Sequence, residues 1–494
     1  MAERSNAAVL KTVDGLNRPG VRIPPSPQIN LHTSIFSVLA NRSFSPSGVK
    51  TAIKIPINMA PEIKTSLKTF KKVIIFYMKR ILINASFFLY ALIVSCIAFS
   101  SNILSEVVII PPSENAQERL QEALILVNPG DVIQLTSGVY DLQDGLSLDV
   151  DDIKIIGEGH ENTILNFSDQ KSGAQGLIVT SDSIILQDFA VLDTKGDAIK
   201  AKGSDGISFI NIRTEWSDGP KSSNGAYGLY PVESKDVLID GCIAIGASDA
   251  GIYVGQSENI IVRNSIAKFN VAGIEIENSY YADVFGNTAV DNTGGILVFD
   301  LPGLPQQGGH DVRVFDNLIQ GNNTDNFAPP GNIVGEVPRG TGIIIMANSD
   351  VEIFDNQIED HETVGIAVVS YISDDDSADF SDSGYYPHPK SIQIYSNSVS
   401  QSGHNPDLDK DIASILFEIS KGDMPDIFWD GVLPLRQMIF GQPDTERLVL
   451  QNNGNIKFAV MNPIRYMFSF PNQLNRDQSE YANDIQPLSP VIID

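Results

Sequence analysis

Cysteine is nearly absent from these 494 residues. The two present, Cys96 and Cys242, exclude a disulfide framework and any zinc site built on cysteines. Histidine is scarce too. Its six residues (32, 160, 310, 361, 388, 404) show no H-x-H or H-E-x-x-H spacing, which argues against a His-built metal site. Positive charge is short as well: 34 Lys and Arg against 61 Asp and Glu give −27, which argues against nucleic acid as a partner. The shortage is uneven. Residues 1–77 hold eleven basic and three acidic side chains (+8), which leaves −35 for the rest of the chain. What is plentiful is apolar residue, 42% of the chain, enough to fill a substantial core.

Lys79 and Arg80 precede Ile81–Phe99, nineteen residues without a charge, with small residues at Ala98 and Ser100. Basic, apolar and small segments in that order form a signal-peptide pattern, and Met78 stands where its start would be. Residues 1–77 are then expected to be an extension outside the fold, and 78–100 an export signal. Two alternatives stand beside cleavage. Nineteen apolar residues are long enough to remain as a membrane anchor, and Ile93–Cys96 resembles a lipobox that would lipidate Cys96. On any of these the localisation is exported: periplasmic, cell-surface or secreted. Contact with a membrane is expected only through this N-terminal segment.

From Ile184 to Val399 the chain repeats a frame, apolar-x-apolar-x-x-N-x-apolar. It reads Val237, Ile239, Cys242, Ala244, then Ile260, Val262, Ser265, Ala267. Its Asn position is filled by Asn287, Asn317, Asn356 and Asn397 in the later copies. Successive frames lie as little as 22 or 23 residues apart, and a second apolar pattern, Gly-Ile-x-Val, follows each at Gly251, Gly273, Gly295 and Gly365. Alternation of period two in so short a unit excludes helical repeats and propeller blades. It predicts one coil of a parallel β-solenoid per unit, about ten coils in all, stacked at about 4.8 Å. The repeated Asn suits a left-handed corner and a ladder of side-chain amides, and Cys242, at that corner, reads as a buried structural thiol. A helix from a Ser113 N-cap to Val127 is expected to cap one end. The β-helix then spans 106–403. Residues 404–494, with a helix near Ile412–Ile419 and strand-like Arg447–Val460, make an irregular cap of the same domain.

The runs GDVIQLTSGVYDLQDGLSLDVDDIKIIGEG, SDAGIYVGQSENIIVRNS, VAGIEIENS and GGILVFDLPGLPQQGG resemble the bacterial exported parallel β-helix repeat proteins, within the wider right-handed, pectin-lyase-like superfamily. The resemblance covers residues 106–400 and implies right-handed coils. It also implies the superfamily's range of lyases, epimerases, hydrolases and non-catalytic carbohydrate-binding members, and a second exported protein as partner. No catalytic residue carries over, because the sequence lacks the DPH-type motif of mannuronan epimerases, the R-x-P-x-x-R of pectate lyases, and the N-x-D, D-D and G-H-G set of polygalacturonases.

The Gly-Ile-x-Val strand still orders its outward residues. One column reads Lys200, Tyr230, Tyr253, Glu275, Leu297, Ile344, Ala367; the other reads Lys202, Val232, Gly255, Glu277, Phe299, Met346, Val369. The aliphatic half needs a cover, which the insertions Leu301–His310, Gly321–Gly340 and Tyr371–Pro389 can supply. The polar half is expected to form an open groove. Tyrosines and charges suit a polysaccharide or cell-envelope glycan, with Lys200, Lys202, Tyr230, Tyr253 and Glu275 as substrate-binding residues. Uronate elimination would use Lys200 or Lys202 as the cation and Tyr230 or Tyr253 for proton transfer. Hydrolysis would use Glu275 and Glu277, about 7 Å apart at Cα on one strand face. Asp374, Asp376, Asp379 and Asp382 crowd one loop as candidate Ca²⁺ ligands. Two functions follow: an exported protein that binds polysaccharide and is a candidate to process it, or a non-catalytic envelope scaffold that docks partners.

Overall fold

The computed structural model describes residues 105–371 and 385–493, and Lys72. Cys96, the apolar run 81–99 and the acidic-loop candidates Asp374, Asp376, Asp379 and Asp382 lie outside the described residues. Residues Asn102–Asp494 form one compact unit.

Each coil lays one strand in each of three sheets. In one coil these are Lys235–Asp240, Ile243–Ile245 and Ala250–Gly255, and the next coil repeats them as Glu258–Arg263, Ile266–Lys268 and Ala272–Glu277. The first sheet has twelve strands, the second ten and the third twelve. Pairing is parallel up to the last strand of the third sheet, Leu474–Asn475, which is antiparallel to its neighbour. This is the expected right-handed parallel β-helix. The repeated apolar positions are its core: Val237, Ile239, Ile260, Val262, Ala282 and Val284 are fully buried in one continuous cluster.

The amide ladder is present. Asn287 Nδ2 donates to Asn317 Oδ1 (3.1 Å), Asn317 to Asn356 (2.9 Å), Asn356 to Asn397 (2.9 Å) and Asn397 to Asn453 (3.0 Å). Each of these side chains also donates to a carbonyl of a preceding strand, as Asn317 does to Val284 O at 2.9 Å. The ladder Asn itself is not left-handed, contrary to expectation. The residue before it takes that role, as in Asn264, Asp316, Asp355 and Ser396 with φ of 53°, 54°, 53° and 58°, which frees the Asn side chain to point inward. Cys242 stands in the same column, after Phe189 and Ile212 of earlier coils, with its thiol 3.4 Å from Phe209 O.

A second ladder runs Asn270, Asn292, Asn322 and His361 (3.0, 2.8 and 3.2 Å). It explains the Gly of Gly-Ile-x-Val. A Cβ on Gly273 would lie 2.5 Å from Gly295 O and 2.9 Å from Asn292 Nδ2, so only glycine lets the coils and the ladder approach.

The N-terminal helix, Ala116–Leu126, buries Leu120, Ala123 and Leu124 against the first coil. Ser113 is not its N-cap. Asn115 holds that position without a side-chain cap, and Ser113 Oγ instead donates to Asn115 Oδ1 at 2.9 Å. The C-terminal region is more regular than expected. Ile427–Trp429, Val449–Gln451 and Phe458–Met461 extend the third and first sheets. Beyond them residues 486–491 cross the outer face of the first sheet as a strap. Gln486 exchanges hydrogen bonds with Gln393 (2.6 and 2.7 Å), Leu488 N donates to Glu352 (3.1 Å) and Val491 N donates to Asp283 (3.1 Å).

Candidate functional site

The outward columns of the third sheet have the expected register. Lys200 pairs with Tyr230, Tyr253 with Glu275, Glu275 with Leu297 and Leu297 with Ile344, while Gly255 pairs with Glu277 and Glu277 with Phe299. The insertions do cover the aliphatic half. Leu301, Val334, Val337 and Leu416 of the helix Asp411–Ser420 join Leu297, Phe299, Ile344 and Ala367 in a second apolar cluster outside the coil.

The open groove, however, is not there. Tyr253, Glu275 and Glu277 are only 4%, 1% and 9% exposed, whereas Lys200 and Tyr230 are half-buried and Lys202 is exposed. The cover is the 321–340 insertion together with the 301–310 insertion, whose Gln306 donates to Ser257 O and Asn278 O at 3.1 and 2.8 Å. A third outward column shrinks from Asp197 and Tyr227 to Ala250, Ala272 and Gly294, and the 321–340 insertion lies over the small residues. A Cβ on Gly294 would meet Val337 at 3.0 Å. The tip residue Asn332 reaches back to donate to Asp249 Oδ2 at 3.0 Å.

Under this cover three acids meet three tyrosines. The rings of Tyr227, Tyr230 and Tyr253 pack with centroids 4.3, 4.6 and 5.0 Å apart. Tyr253 Oη donates to Glu277 Oε1 at 2.7 Å, and Gln256 Nε2 donates to both, at 3.1 and 3.2 Å. Gly255 makes that geometry possible, because a Cβ there would lie 2.3 Å from Tyr253 Oη. Tyr227 Oη lies 3.4 Å from Asp249 Oδ2. Glu275 Oε2 is buried without a partner.

Burial, then the charge of Glu277, pushes the Asp249 carboxyl up to about 7. Burial also lifts Glu277 to about 7, with Asp300 adding to the rise and the Tyr253 and Gln256 hydrogen bonds opposing it. Glu275 is raised well above the ordinary range by burial and then by both neighbours. The three interact and titrate as a unit, each held toward its protonated form.

The tyrosines are raised as well, first by burial and then by the surrounding acids. Both effects favour the protonated phenol, the form that can donate a proton. The lysines are committed. Lys200 Nζ sits 4.3 Å over the Tyr230 ring, and Lys202 pairs with Glu233 at 3.4 Å. Asp249, Tyr227, Gln256 and Asn332 were not among the sequence candidates. Tyr227, three residues before Tyr230, was the readable one, whereas Asn332 reaches the site only through the long insertion. A cleft of about 500 Å³ at the C-terminal end, lined by Trp429, Leu433, Met438 and Tyr481, gathers no such set of acids. Among the described residues no group of three or more His, Cys, Asp or Glu is placed to hold a metal ion, and no helix is long and apolar enough to cross a membrane.

Residues 153–303 match the family described as right handed beta helix region. With the three stacked sheets, this makes the fold a right-handed parallel β-helix. The chain is similar to the A-module of a mannuronan C-5 epimerase of Azotobacter vinelandii, at 14% identity over 70% of this chain and 94% of that one, TM-score 0.43. It is also similar to an alginate lyase of Paenibacillus sp. (14% identity, 61% and 96% covered, TM-score 0.37). A family 28 exopolygalacturonase of Yersinia enterocolitica is a further likeness (10% identity, 72% and 70% covered, TM-score 0.39). No curated protein matches the chain.

Proposed function

We propose that the protein is exported and processes polysaccharide on the Lys200–Glu277 face by proton transfer between buried carboxyls. The observation that carries this reading is the set of three buried acids, each raised by burial, packed against a wall of tyrosine rings. Glycoside hydrolysis needs one carboxyl that keeps its proton for the leaving oxygen and one carboxylate that attacks the sugar or activates water. Glu275, 1% exposed and raised well above its ordinary range by burial, is the acid. Glu277, whose charged form accepts from Tyr253 and Gln256, is the carboxylate. The tyrosines bind the sugar faces, and glycan reaches the acids from the half-buried Lys200–Tyr230 end once the 321–340 insertion lifts.

The test is release of reducing ends from a panel of neutral, acidic and amino polysaccharides by the full chain between pH 5 and 8. We expect one polymer to be cut, and Glu275→Gln and Glu277→Gln each to lose at least 100-fold while keeping the β circular-dichroism signal. Absence of product throughout would reject the catalytic reading. The closure of the cluster, with all three acids under one-tenth exposed, favours the second reading, a non-catalytic scaffold, and that result would select it.

A further inference from the structure

Among the described residues no cation pairs with the acid cluster. The charges acting on Asp249 are those of Glu277 and Asp197; on Glu275, of Glu277 and Asp249; on Glu277, of Asp300. All are negative. Lys200, the nearby cation, acts on Asp197 and is itself desolvated over Tyr230. Glu275 adds an oxygen that is buried and has no partner. A uronate would bring another negative charge into this environment, against the expectation that the face takes acidic glycans. A neutral sugar would leave the oxygen's demand for a donor only partly met.

Resting on the glycan reading above, we propose that the site selects a polysaccharide bearing free amines, an unacetylated hexosamine polymer whose ammonium pairs with the Glu277 carboxylate and donates to Glu275 Oε2 while its ring lies on Tyr230. The chemistry of the wall agrees. Lys200 Nζ over the Tyr230 ring shows that an ammonium is accommodated on this aromatic surface. A hard metal ion would instead need several oxygens turned to one point, which the described residues do not provide. An acetylated amine lacks the ammonium charge.

The cover is fastened both to its neighbours and to itself: Lys410 Nζ donates to Gly335 O, and Arg339 Nε pairs with Glu362 at 2.8 Å. Asn326 Nδ2 donates to Val334 O and Val337 O, each at 2.9 Å, so the insertion is stitched to itself. Gly331 and Gly340, with φ of 96° and 79°, flank its tip. The polar tie at its tip is the Asn332–Asp249 hydrogen bond, and an ammonium that draws on the acids competes with it.

The experiment is isothermal titration calorimetry of the full chain with hexamers of glucosamine, N-acetylglucosamine, glucose and galacturonate, and with CaCl₂ alone. The glucosamine hexamer should bind at least tenfold more tightly than any other. The double variant Glu275→Gln/Glu277→Gln should lose that preference while still binding the glucose hexamer. Because the chain is strongly acidic, it could attract any polycation through its surface; a preference that survives in the double variant therefore overturns the proposal. Equal or tighter binding of the acetylated or uronate hexamer overturns it too, and so does calcium binding that the double variant abolishes. If one of those other hexamers binds and Tyr230→Ala removes it, the glycan reading stands and the amine selectivity falls. If no hexamer binds, both fall.

Discussion

Replacing Glu277 by glutamine should make the protein more stable at pH 8, an unusual outcome for a buried residue with two hydrogen bonds. Gln Oε1 can accept from Tyr253 and Gln256 as the carboxylate does, so what is lost is mainly a charge that burial disfavours. Moving this carboxyl from its ordinary 4.5 to about 7 costs the folded state about 3 kcal/mol once it must ionise. Allowing about 1 kcal/mol for the new amide's own desolvation, the variant should gain about 2 kcal/mol at pH 8. For a unit of this size that is a rise in Tm of about 2–3 °C.

The pH profile carries the sharper signature. Below about pH 4 the folded and unfolded forms both hold the proton, and the group contributes nothing to any pH slope. Between about 4.5 and 7 the folded form keeps a proton that the unfolded chain has released, so wild-type stability falls as pH rises through that window. Above 7 the fall ends. Thermal melts in half-unit steps from pH 4 to 8.5 should show this decline in the wild type and a flatter one in Glu277→Gln. A variant that is less stable at pH 8, or that follows the wild-type slope unchanged, would refute the reasoning.

Gly255→Ala should push the Tyr253 ring off Glu277, because its Cβ would lie 2.3 Å from the phenol oxygen. Denaturant titration should show a loss of about 1–3 kcal/mol, and glycan binding should weaken with it. Asn317→Ala removes the acceptor for Asn287 N and Nδ2 and the donor to Asn356 and Val284. With those groups left buried and unpaired it should cost about 3–5 kcal/mol in the same assay, and Asn317→Ser less, since Ser265 already serves that column. Cys242, fully buried with its thiol pushed up to about 12, should resist a thiol reagent at pH 8 in the native protein and react fully in denaturant.

The repeat frame and the alternation on the Gly-Ile-x-Val strand were enough to read the coil and the register of Lys200 through Ala367, because inward apolar residues must recur once per turn. Alternation does not say whether the outward face is covered. Tyr253 and Glu275 look like groove residues by pattern and are buried because a segment some eighty residues later folds back over them. Asn332 and Asp249 are 83 residues apart, and no local rule joins them. The second ladder was hidden for a different reason. His361 stands where Asn270, Asn292 and Asn322 stand in other coils, so the column changes residue type at its end. The C-terminal strands were under-read because the insertions among the late coils break the spacing that made the earlier ones visible.

The strap at 486–491 bears on the order in which the molecule is completed. Stacked coils can close one after another as the chain leaves the ribosome, since each needs only its neighbour. Asp283 is different: its tie to Val491 spans 208 residues, and Glu352 and Gln393 likewise wait for Leu488 and Gln486. Coils formed early therefore stay unfastened along that flank until translation reaches the strap. A nick that releases the strap would return the finished molecule to that condition, fraying from several coils at once instead of from one end.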